Sequence, residues 1–177
     1  MQQTAGERQM STPKPEVPAI QQTETEPQLR DLCSFSAGNR TFAVFADEVE
    51  GTTELKRPAR LPNAPPAVLG VVCVRGRMLT TLDPSALLGN ETKWPDELPC
   101  VIALRGDEQL ALAADSLGET ITIASTDIEP FDDQQSDRPQ KLIVGIARHG
   151  GEELTILNAA GLFSAAFQIT ERRRRRF

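Results

Sequence analysis

From Leu29 onward the apolar residues of this chain come in short runs, spaced two apart, and each run is closed by a turn signal. A spacing of two is that of a β-strand with one face buried, and runs this short cannot supply the long apolar stripe of a helical bundle. The clearest case is residues 61–89, LPNAPPAVLGVVCVRGRMLTTLDPSALLG. A proline-rich loop leads into residues 71–74, Arg75-Gly76 turns the chain, and residues 78–82 return. Asp83-Pro84 then opens a short helix through Leu88, ended by Gly89. Nothing in this stretch reads as a reaction centre. It reads as a β-hairpin that presents a fixed charged tip.

The same pattern covers the rest of the chain. Residues 32–36 and 41–45 form a first hairpin across the turn 37–40. Asp47 and Glu48 open a single helical turn around Val49, and residues 52–57 resume an extended course. A loop with Pro58, Pro62, Pro65 and Pro66 follows. Residues 90–99, polar with two prolines, cross to a second half. There residues 101–104 pair with 109–114, 115–118 turn with Asp115 stabilising the turn, and 121–124 extend. Residues 132–139 are an acidic loop, 142–147 and 153–157 make a last hairpin, and Asn158 caps a helix to about residue 169. Two small β-barrels sharing one chain accommodate these strands better than one sandwich does, with strand order left open. Residues 1–28, rich in Gln, Thr, Glu and Pro, cannot bury enough surface to offset their ordering entropy and are expected to be disordered.

Composition narrows the function. Seven Phe, one Trp and no Tyr leave a core of Val, Leu, Ile and Ala. The formal charge is −6, of which the five arginines at 172–176 contribute +5, leaving −11 on the rest. So acidic a body is a poor match for nucleic acid. Cys33, Cys73 and Cys100 are odd in number and lack a C-x-x-C spacing, which argues for small buried thiols in a reducing compartment rather than a disulfide framework or a zinc site. No apolar run approaches the ~20 residues that cross a bilayer, and the N-terminus lacks a signal-peptide core, so the expected location is the cytoplasm.

Catalytic groups do not converge. His149, the single histidine, sits in a Gly-rich turn, no Ser or Cys occupies a nucleophile elbow, and no Cys/His spacing suits a metal. The chain is expected to be no enzyme and to carry no cofactor. Arg75 is the exception to these bland readings, because a guanidinium fixed on a tight turn can grip carboxylates at an interface.

Leu69-Gly70-Val71 through Val74-Arg75-Gly76 to Leu82-Asp83 resembles the G-V-x-N-L-R-G-x-x-x-P-V-x-D-L signature of CheW-like domains, the adaptors of bacterial chemotaxis arrays. Phe35-Ser36-Ala37-Gly38 with Phe42-Ala43-Val44 resembles the family's first hairpin, with Val49 at its following apolar turn position. Residues 112–117 resemble its V-V-D-x-V element, and 142–145 through 154–158 to Leu162-Phe163 resemble its closing strand-strand-helix. The resemblance spans residues 31–167 in order. It implies a mainly β fold of two intertwined five-stranded SH3-like barrels with short helices and a C-terminal helix. It also implies an adaptor that couples the signalling tip of a chemoreceptor, a methyl-accepting chemotaxis protein, to the regulatory domain of a histidine kinase, with other CheW-like domains as further partners. By position Ala46, Val49 and Leu117 would line the apolar receptor groove with Arg75 close by, while Gly70 and Gly76 would serve the hairpin backbone. The chain departs from the family at Cys73-Val74, Thr80-Thr81, Pro84 and Gly51, where the family commonly carries Asn-Leu, Pro-Val, Leu and a charged residue. Those departures admit a divergent scaffold of a non-flagellar signalling cluster.

The expected organisation is a tail at 1–28, a CheW-like domain at 29–170 and a basic tail at 171–177. The length suits a stand-alone adaptor with no room for a kinase core or receiver. The arginine run reads first as a solvated tail and second as an electrostatic tether to an acidic partner or anionic membrane, with no direct membrane insertion. A small-barrel nucleic-acid binder using that run is the weaker rival.

Overall fold

A computed structural model describes residues 27–91, 93–131 and 142–174, with side chains as far as Ala166. Within it the chain forms β1 (Leu29–Ala37), β2 (Arg40–Phe45), β3 (Val49–Lys56), β4 (Val68–Val74), β5 (Arg77–Leu82), β6 (Leu98–Leu104), β7 (Leu110–Ala114), β8 (Ser116–Ala124), β9 (Glu129–Pro130), β10 (Ile143–His149) and β11 (Glu152–Leu157). The helices are α1 (Pro84–Leu87) and α2 (Ala159–Arg174). One curled sheet runs β8-β1-β2-β11-β10-β9 and the other β3-β6-β7-β5-β4. The second barrel is thus one continuous stretch, β3 to β7, inserted between β2 and β8 of the first. The two SH3-like barrels expected from the sequence form, with the very short β9 as a sixth strand in the first.

Period-2 alternation creates three cores rather than two. On β7, Leu110, Leu112 and Ala114 face the space between the barrels, and Ala111 and Ala113 face the interior of the second barrel with Val72, Val74, Leu79 and Val101. On β2, Phe42 and Val44 face between the barrels, and Ala43 faces the interior of the first with Leu32, Ile121 and Ile156. The shared core also takes Phe35, which stacks on Phe42 at 5.7 Å between ring centroids, together with Leu82, Leu104, Leu157 and Leu162. Both barrels therefore lose apolar surface to the same interface, which couples their stability.

Local chemistry fixes the ends of the elements. Asp83 caps α1 by accepting from the amides of Ser85 at 2.9 Å and Ala86 at 3.2 Å, and Pro84 starts the helix. Burial pushes the Asp83 carboxyl above its ordinary value, against those two amides, which favour the charged form. Gly70, at φ +144, lies so close to the 58–59 strap that a Cβ there would stand 2.4 Å from the Ala59 carbonyl oxygen. Ala59 and Val71 exchange backbone hydrogen bonds at 2.8 and 2.9 Å. That contact accounts for glycine at position 70.

Several expectations are corrected. Residues 116–118 are strand, not turn: β8 begins at Ser116 because Ser116 and Leu117 pair with Ser36 and Phe35. Asp115 does not stabilise a local turn; its carboxylate accepts from the Gly38 amide at 2.7 Å, locking the first hairpin's tip to the second barrel's exit. β3 starts at Val49 rather than residue 52, held by Arg105, and α2 runs on to Arg174. Cys100 is buried and Cys33 half-buried, but Cys73 is exposed, since its neighbours Val72 and Val74 are the ones that point into the second barrel. Of the expected tail at 1–28, residues 1–26 lie outside the described residues, while the Gln28 carbonyl accepts from the Ser125 amide at 2.8 Å; the loop 132–139 and residues 175–177 also lie outside.

Candidate functional site

The chain passes between the barrels at two places. After β2 a single 3-10 turn, Ala46–Glu48, carries it into β3, and after β7 the lone Asp115 carries it into β8. Ala46 and Val49 lie at the first crossing and Leu117 just beyond the second. Val49 is half-buried and packs on the shared core. Leu117 stands opposite Phe35 of that core and is still 36% exposed. Each crossing thus leaves an apolar side chain incompletely covered beside the shared core.

The first crossing is held by polar contacts that periodicity does not reveal. The Arg105 amide donates to the Glu48 carbonyl at 2.7 Å and its Nε to the Val49 carbonyl at 3.0 Å. Arg30 lies 4.1 Å over the Phe45 ring and 3.8 Å from Asp47. Burial raises the Glu48 carboxyl above its ordinary value. Arg105-Gly106, between β6 and β7, repeats the Arg75-Gly76 dipeptide of the β4–β5 turn, and that repeat was the available sequence signal.

Arg75 and Gly76 form the two-residue β4–β5 turn at φ +50 and +80, the type I′ geometry that matches strand twist. Gly76 adopts it freely, whereas a residue with a Cβ is held there at a cost of about 1–2 kcal/mol. The following Arg77 forms a partly buried ion pair with Glu50 of β3. Arg77 opens β5, the neighbour of edge strand β4, and Glu50 lies on the opposite edge strand β3, so this pair bridges across the curled second sheet. The Arg75 guanidinium lies over Gly51, also on β3, beside a shallow recess lined by Glu50, Val74, Leu79 and Ala103.

The structure therefore brings Arg75 to within two residues of Val49 along β3, with Ala46 on the adjoining turn. Gly70 is elsewhere, at the base of β4, and Gly76 has open space about its Cα. Glu50 and Arg77 are neighbours of this site that the sequence pattern did not pair, and Gly51, noted in the sequence only as a departure from the family, lies directly under the Arg75 guanidinium.

Nothing in this arrangement is organised for bond chemistry. Burial raises both the Cys33 and Cys100 thiols, the latter with help from the Glu54 charge, which disfavours a thiolate nucleophile. His149 is exposed at the end of β10, across from Glu152. Among the described residues no three of His, Cys, Asp and Glu gather as a metal site, and no helix is long and apolar enough to cross a membrane.

The family model of the CheW-like domain matches residues 31–167. The chain belongs to the CheW-like family. A chemotaxis protein CheW of Rhizobium meliloti is 29% identical over 139 residues, covering 76% of this chain and 87% of the relative. A chemotaxis protein CheW of Helicobacter pylori is 25% identical over 156 residues, covering 86% and 92%. Among solved structures, the scaffolding protein TtCheW of Thermoanaerobacter tengcongensis superposes with a TM-score of 0.66 over 77% of this chain and 93% of that one, at 19% identity, a likeness of fold. The chain is a non-enzymatic adaptor of bacterial chemotaxis, and its double barrel is the family's scaffold.

Proposed function

We propose that this adaptor couples the signalling tip of a chemoreceptor to the regulatory domain of a chemotaxis histidine kinase. The receptor's helical hairpin lies along the seam at Ala46, Val49 and Leu117, with Arg75 at its margin and the Gly70 and Gly76 backbones shaping the hairpin that carries it. The observation that carries this reading is the pair of crossings: apolar side chains partly open there, at Val49 and most of all at Leu117, beside the packed core the two barrels share. An apolar groove in a fixed frame is the form that receives an amphipathic helix. The folded unit is residues 29–170, and the adaptor works in the cytoplasm at receptor arrays. Other CheW-like domains are further partners.

Coupling requires no chemistry. A rigid body that binds two partners weakly at separate surfaces raises the effective concentration of each near the other. The test is a titration of the chain against a receptor-tip fragment and the kinase regulatory domain from one organism. Saturable binding to both, and a ternary complex, is expected. Binding to neither by a folded chain would assign the scaffold to a different signalling cluster.

A further inference from the structure

Two arginines sit at the β4–β5 turn, Arg75 in it and Arg77 just after it, and their surroundings differ. Arg77 has Glu50. Arg75 is exposed and forms no ion pair or hydrogen bond with another described residue. A Cβ built on Gly51 would stand 3.1 Å from its Cζ and 3.2 Å from each terminal nitrogen. Three such similar distances mean that the guanidinium turns its face, not its edge, to Gly51. Its N–H groups lie in the guanidinium plane and so run along the surface, unfilled. A guanidinium stacked by its face and empty at its edge can take a carboxylate through two parallel hydrogen bonds.

Resting on the coupling reading above, we infer that Arg75 receives an Asp or Glu side chain of the receptor tip, and that Gly51 makes this possible by offering no side chain of its own. Val49 is two residues from Gly51, about 7 Å along the strand, so a segment lying on the seam passes the guanidinium edge. The left-handed turn and the Glu50–Arg77 pair hold Arg75 there before the partner arrives, which lowers the ordering cost of the contact. Glu50, Gly51 and Arg77 are positioning residues.

The experiment measures affinity of the full chain for a receptor-tip fragment and, separately, for the kinase regulatory domain. It compares the unaltered chain with Arg75→Ala, Gly51→Glu, Gly51→Gln and the double variant Gly51→Glu/Arg75→Ala, each checked for folding by circular dichroism. Arg75→Ala weakens receptor-tip binding by roughly three- to tenfold at low salt, and less at high salt. Gly51→Glu does the same by supplying a competing carboxylate, Gly51→Gln does less, and the double variant is no worse than Arg75→Ala alone. Receptor-tip binding unchanged by Arg75→Ala, a Gly51→Glu loss that persists without Arg75, or weakening confined to the kinase domain each overturns this inference and leaves coupling intact. Failure of the unaltered chain to bind the receptor tip overturns both.

Discussion

At its base the β4–β5 hairpin buries Val68 and Leu82 in the core between the barrels and ties the Asp83 amide to the Ala67 carbonyl at 2.8 Å. At its tip the same hairpin exposes Arg75 on a left-handed turn, resting on a glycine. The base is apolar, fully packed and continuous with α1 and α2. The tip is charged, open, and joined to the rest of the barrel through one ion pair. One continuous element therefore has two separable parts: a root that stabilises the fold, and an end that, on the proposed reading, meets a partner. Stability and affinity should respond to different residues.

The largest departure is expected at the root. Leu82→Ala deletes a fully buried side chain and should cost about 3 kcal/mol of unfolding free energy, read by urea denaturation. Receptor-tip affinity of the molecules that remain folded should be unchanged. Gly70→Ala should follow at about 2–3 kcal/mol, because the new methyl group meets backbone that cannot move aside and φ is +144. A neutral result for Gly70→Ala would mean that the 58–59 strap is not held against β4 in solution.

Asp83 sharpens the comparison through pH. Its folded-state value is raised by burial, so its favourable contribution is full below the ordinary carboxylate range and is lost as pH rises through the raised value. Asp83→Asn retains an oxygen for the Ser85 and Ala86 amides without the buried charge. The variant should equal or exceed the unaltered chain in melting temperature at neutral pH, and lose that advantage at acid pH. Asp83→Ala lacks the cap and should be less stable at both, by about 1–2 kcal/mol. A melting temperature for Asp83→Asn well below that of the unaltered chain at neutral pH would show that the charged cap outweighs its burial.

At the tip the ordering reverses. Arg75→Ala should change unfolding free energy by less than about 0.5 kcal/mol, since an exposed side chain leaves no cavity, while its receptor-tip affinity falls. The smallest effect is expected from deleting residues 172–177. If the arginine run acts only as solvated charge, it is screened within ~8 Å at physiological salt, and affinity should move by no more than about twofold. A larger loss that grows as salt is lowered would favour the tether.

How far the sequence spoke for this molecule follows the same division. The alternation of Phe42, Ala43 and Val44 is visible in the chain, and so is the Asp83-Pro84 helix start, because strand and cap signals are local. The assignment of alternate residues to a shared core was not visible, since it depends on β7 pairing with both β5 and β6. Residues 115–118 look like a turn by composition, yet Asp115 bonds to Gly38, far away in sequence, and Gly118 lies against Ser34. Long-range partners overrode local propensity there. At the site, Arg75 stood out by its turn. Gly51 stood out only as a departure from the family; its place under Arg75 and the Glu50–Arg77 pair were not legible, because both depend on β3 lying beside the β4–β5 turn.

The most direct measurement of the central claim is a map of amide chemical-shift changes in the full chain as a receptor-tip fragment is added. Changes at Ala46, Val49, Gly51, Arg75 and Leu117, with little at Val68, Leu82 and Asp83, are the predicted result. Changes confined to the β9–β10 edge or to α2, with the seam and the hairpin tip silent, would contradict it.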